Sequence, residues 1–98
     1  MHYRNEQIEL QPSLAHSGDS VRIKYHGLLK NSGADAVFIY CGKDGWQASK
    51  YIPMRRGDDD FYVDVRAEAD RELNFCFKDS ANNWDNNNGY NWKVDVYH

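Results

Sequence analysis

Residues 61–66 read FYVDVR. Phe61, Val63 and Val65 fall on one parity and Tyr62, Asp64 and Arg66 on the other. Only an extended strand with one face buried sorts side chains at period two in this way. Working outward, the alternation recurs upstream at Val21, Ile23, Tyr25 and at Val37, Ile39, Cys41. Downstream it returns at Leu73, Phe75, Phe77 and at Trp92, Val94, Val96. Shorter candidates at 6–10 and 50–54 bring the expectation to about seven strands.

Turn chemistry separates these runs: SGD at 17–19, NSGAD at 31–35, GKDG at 42–45, RRGDDD at 55–60 and SANNWDNNNG at 80–89. Glycine tolerates positive φ, and Asn and Asp bond their own backbone, so such clusters end strands. No interval accommodates a substantial helix. The stretch 67–73 is short and holds Asp70, and it reads as a turn leading into a strand. The pattern predicts an all-β, immunoglobulin-like β-sandwich of about seven antiparallel strands. Jelly-roll and other barrel-like arrangements share the strand count, and the Cys, Trp, Cys pattern of antibody domains is absent.

With 98 residues and only two prolines, the chain has material for one core and one domain over 1–98. Twelve basic residues against fifteen acidic give a net charge of −3. That balance provides no basic footprint for nucleic acid or an anionic membrane surface. No apolar run is long enough to cross a bilayer, and the start MHYRNEQIEL is polar, so a soluble chain without an export signal is expected. A module cut from a longer secreted protein would look the same. Cys41 and Cys76 form no C-x-x-C pair, and their strand parities differ, which favours free thiols. No metal or cofactor is expected.

The three tryptophans sort by context. Trp92 shares parity with Val94 and Val96 and reads as core. Trp46 and Trp84 stand in the polar turns GKDGW and ANNWDNNNG. A single loop indole often folds back to cap a sandwich; two of them beside amide groups suit a sugar, whose apolar C–H faces are ringed by hydroxyls. Asn83, Asn86 and Asn87 are candidate ligand contacts, whereas Asp85, Asn88 and Gly89 read as residues that shape the turn.

WDNNNGYNW at 84–92 resembles the closing motif of carbohydrate-binding module family 25, shared in part by related starch-binding families. The resemblance extends through NFCFKDSANNWDNNNG at 74–89, VFIYCGKDGW at 37–46 and YHGLLKNSGADAV at 25–37, covering roughly 20–97. It implies a β-sandwich that binds α-1,4-glucan, with Trp46 and Trp84 at the family's stacking positions. Members often carry a histidine on the strand before the first tryptophan loop. Tyr40 stands there in this chain, with Phe38 on the same face.

Non-catalytic binding of starch, glycogen or maltooligosaccharides is therefore the expected function, alone or beside a starch-active enzyme. The rival is a protein-interaction sandwich that uses the same aromatic patch. His26, before Gly27 at a turn, is expected to be solvent-exposed, and Asp58, Asp59 and Asp60 to form a solvated hairpin tip. Residues 85–89 do not make an EF-hand, because the glycine is misplaced and the closing glutamate is missing. Carboxylates are too numerous for any pair to signal a glycosidase, and no phosphate loop or nucleophile motif occurs.

Overall fold

A computed structural model describes residues 2–98. In chain order the elements are β1 (Tyr3–Arg4), β2 (Ile8–Gln11), β3 (Leu14–His16), β4 (Ser20–Tyr25), α1 (Leu28–Asn31), β5 (Val37–Lys43), β6 (Gln47–Pro53), β7 (Arg55–Arg56), β8 (Phe61–Arg66), β9 (Glu72–Asp79), β10 (Trp84–Asp85) and β11 (Trp92–Tyr97). They form two sheets packed as a sandwich. One runs β1-β2-β4-β8-β7 and the other β3-β11-β9-β5-β6, with β10 paired to β9.

The seven strands read from periodicity correspond to β2, β4, β5, β6, β8, β9 and β11. Their alternating residues supply the core: Val21, Ile23 and Tyr25 face Phe75, Phe77, Ile39 and Val94 across the sandwich, all fully buried. Burying a large apolar side chain completely contributes about 1.5–3 kcal/mol. Trp92 belongs to this core at 8% exposure. Its ring stacks on Phe75 and meets Phe77 edge-on.

Three details depart from the sequence reading. The sheets are not wholly antiparallel, because β3 pairs parallel with β11 (Asp95↔Leu14 through Tyr97↔His16). Pro12 has no N–H with which to extend the β2 ladder, and the chain crosses to the other sheet between Gln11 and Leu14. Residues 28–31, partly assigned to a turn, form one helical turn. His26 is half-buried rather than solvent-exposed, with Nε2 at 3.1 Å from the carbonyl of Asn5, because β2–β4 pairing brings the Asn5 turn against it.

Asp58 and Asp59 are exposed at their tip, and Asp60 is half-buried. Both cysteines are free and buried, on opposite faces of one sheet: Cys41 follows Val37 and Ile39 inward, and Cys76 lies across from Tyr40 on the outer face. Among the described residues no helix is long and apolar enough to cross a membrane.

Candidate functional site

The outer face of the second sheet gathers the loop tryptophans. Directly opposed residues of antiparallel strands share a face. Tyr40 on β5 lies opposite Tyr51 on β6 and Cys76 on β9, and Phe38 lies opposite Lys78. The two-residue β10 extends this surface, since Trp84 pairs with Lys78. Tyr40, Tyr51, Lys78 and Trp84 are thus placed on one side by register, and the β5–β6 hairpin adds Trp46.

Tyr40 is the hub. Its ring lies nearly parallel to Trp46 (5.6 Å between centroids, 16°) and edge-on to Trp84 (5.9 Å, 89°). The two indole planes are therefore close to perpendicular to one another. Tyr51 packs against Tyr40 at 4.6 Å and against Trp84 at 6.1 Å. Trp84 keeps 42% of its surface exposed and Tyr51 53%, whereas Trp46 and Tyr40 are half-buried. The result is an open aromatic platform; a cavity of about 470 Å³ lies elsewhere, at the sandwich edge around Tyr3, Leu14 and Trp92. Cys76 forms part of the floor. Burial, with a smaller contribution from the Asp85 charge, pushes its thiol up to about 11, so it stays protonated and inert.

The Trp46 turn is backbone-strained. Asp44, Gly45, Trp46 and Ala48 have φ of 47°, 84°, 72° and 51°, and for the non-glycine residues such values cost about 1–3 kcal/mol each. Hydrogen bonds hold it there. Asn74 Oδ1 accepts the N–H groups of Gly45 (2.8 Å) and Trp46 (3.3 Å), and Ser49 Oγ donates to the Trp46 carbonyl at 2.6 Å. The Asp44 carboxylate accepts the backbone N–H groups of Asp70, Arg71 and Glu72 at 2.7–3.2 Å. These bonds, those from Asp70 and Arg71 foremost, keep its pKa below the ordinary 3.8. Gly42 completes the clamp, since a Cβ there would stand 2.6 Å from Ser49 Oγ and 2.8 Å from Trp46 Cα.

The Trp84 loop is anchored differently. At its start the Asp79 carboxylate accepts the backbone N–H groups of Ala81 (3.0 Å) and Asn83 (2.8 Å) and the Asn83 side-chain amide (3.0 Å). The Asn83 bonds dominate in holding its pKa below 3.8. Behind Trp84, Asp85 turns inward to 7% exposure and accepts a 2.6 Å hydrogen bond from the Tyr25 hydroxyl, which in turn accepts the Leu29 N–H at 2.9 Å. Burial, reinforced by Asp85, raises the Tyr25 pKa far above its usual value. Asp85 also accepts the Asn87 N–H at 3.3 Å, in keeping with a turn role, but its main partner lies in the core.

The candidate asparagines bond within the Trp84 loop. The Asn83 amide donates to Asp79, Asn86 Oδ1 accepts the Gly89 N–H, and the half-buried Asn87 donates to the Asn91 carbonyl from a left-handed φ of 56°. Their hydrogen bonds are internal to the loop, and only Asn83 adjoins Trp84 in sequence. Sequence reading missed Tyr51 and Lys78. An outward parity marked both, but placing them beside Tyr40 and Trp84 requires the strand register, which a β-bulge shifts between Cys41 and Lys43.

No family model matches the chain, and no solved structure matches it. A curated relative does. This chain is similar to part of an α-amylase. The relative, from Clostridium acetobutylicum, is 30% identical over an alignment of 93 residues that covers 93% of this chain and 12% of the amylase. The chain thus spans about an eighth of the relative's length, the size of a small domain within it.

Proposed function

We propose that this sandwich is a non-catalytic α-glucan-binding module, resembling carbohydrate-binding module family 25, that takes starch, glycogen or maltooligosaccharides on the face formed by Trp46, Tyr40, Tyr51 and Trp84. The observation that carries the reading is the steep mutual inclination of the two indoles about Tyr40. A coiling α-1,4 chain offers successive glucose faces at an angle, whereas a flat β-1,4 chain suits coplanar platforms. Similarity to one stretch of an α-amylase supports the same substrate class and an association with a starch-active enzyme.

Binding rather than bond cleavage is the proposed contribution. Asp44, Asp79 and Asp85, the carboxylates that support the platform, are engaged by backbone N–H groups or by Tyr25. Affinity is modest on this reading, because an open site exchanges sugar–water for sugar–protein hydrogen bonds at small net gain. Repeated modules on a polysaccharide would raise it through multivalency.

The test is titration with maltoheptaose against maltose and cellohexaose, following the indole N–H signals. Saturable shifts of Trp46 and Trp84 are expected with the α-linked heptamer. Trp46→Ala and Trp84→Ala should each weaken binding about tenfold or more, equivalent to about 1.4 kcal/mol, without unfolding. Normal retention of both variants on starch would defeat the assignment and turn attention to a protein partner.

A further inference from the structure

Lys78 lies within the aromatic platform, and among the described residues its ammonium meets aromatic rings and no carboxylate. Its Nζ stands over the rings of Tyr51 (5.2 Å), Trp84 (5.7 Å) and Phe38 (5.9 Å). The ion pairs among the described residues involve Arg4, Arg22, Arg66 and Lys93, and Lys78 takes part in none of them. Nearby carboxylates are already engaged: Asp79, its neighbour in sequence, by Ala81 and Asn83, and Asp85 by Tyr25. The ring quadrupoles attract the cation but leave its formal charge intact. A half-buried lysine thus holds its ammonium beside the surface proposed for glucose stacking, in a protein whose net charge is −3.

We infer that Lys78 makes the platform selective for α-glucans that carry a phosphate monoester. This rests on the α-glucan reading and narrows it. A neutral hydroxyl is served as well by an amide or a phenol. An ammonium with three free donors and no counter-ion is matched by an anion, and a phosphate monoester brings about 1.5–2 negative charges and three acceptor oxygens at pH 7. Lysine serves such groups as a point charge and does not need the planar fork of arginine. The aromatic faces stack the sugar, and Lys78 reads the substituent on it.

The experiment titrates the wild type, Lys78→Met and Lys78→Arg with three probes: maltoheptaose, maltoheptaose bearing one 6-phosphate, and inorganic phosphate. Each is run at low and at physiological salt. The wild type is expected to bind the phosphorylated heptamer about threefold to fivefold tighter than the neutral one, as for a partly exposed ion pair. The preference should shrink with salt, disappear in Lys78→Met and persist in Lys78→Arg, and inorganic phosphate should bind far more weakly than either heptamer. Equal affinity for the two heptamers would overturn the inference and leave the α-glucan reading standing. So would an equal loss for both in Lys78→Met, which would make Lys78 a hydroxyl donor, or a preference that survives in that variant. Inorganic phosphate binding as tightly as the phosphorylated heptamer would remove the sugar from the recognition. Failure of both heptamers to bind would remove the α-glucan reading along with this one.

Discussion

The two tryptophan loops deliver their indoles to one face by different means. The Trp46 turn is short and backbone-strained, and is held by surface groups: Asn74, Ser49 and the Asp44 carboxylate bonded to the start of β9. The Trp84 loop is longer, and Asp85 ties it to a buried tyrosine 60 residues away. One platform is fixed by hydrogen bonds to β9 and the residues just before it, the other by a bond into the core. The two halves of the aromatic face are therefore expected to respond to different damage.

The largest effect expected to separate the halves is that of Tyr25→Phe. Removing the hydroxyl deprives the buried Asp85 carboxylate of its 2.6 Å donor, and a lost hydrogen bond to a charged buried group costs about 1.5–3 kcal/mol. Urea denaturation should show that loss. The Trp84 indole signal should broaden while that of Trp46 holds its position; equal disturbance of both would break the comparison.

Gly42→Ala probes the other half. Its new methyl would press on Ser49 Oγ and the Trp46 backbone, and overpacking of this kind costs about 1–3 kcal/mol. We place it at the lower end because the Trp46 turn is on the surface. Here Trp46 should move and Trp84 should not, and unchanged Trp46 shifts would show that the close approach does not matter.

The smallest effect is the one both loops share. Asp44 and Asp79 have pKa values below 3.8 in the folded protein, so each contributes stability present above that value and lost as pH falls through the folded one. Tryptophan fluorescence should therefore stay flat from neutral pH downward and change for both loops together only below 3.8. A transition near about pH 6 would assign the control to histidine instead.

Legibility followed the range of the interactions. The strand faces could be read because burial of one face imposes period two on a few consecutive residues. Trp46 and Trp84 were legible as indoles standing in polar turns, and Tyr40 through the resemblance to carbohydrate-binding module family 25. Tyr51 and Lys78 were not, because their value lies in which residues stand opposite them. Asp85 read as one more turn residue in an asparagine-rich run, since nothing near it in sequence announces that its partner is Tyr25. His26 looked exposed for the same reason: the Asn5 carbonyl that half-buries it comes from another strand.

By itself the sequence determined an all-β sandwich, the identity of its core, and two loop tryptophans outside that core, because these follow from side-chain period and turn chemistry along a few residues. Only the tertiary structure decided that Tyr40 would stand between the two indoles, that these would lie almost at right angles, and that a lysine would sit beside them. Those facts depend on strand register and on hydrogen bonds between distant residues, and neither leaves a periodic trace in the chain.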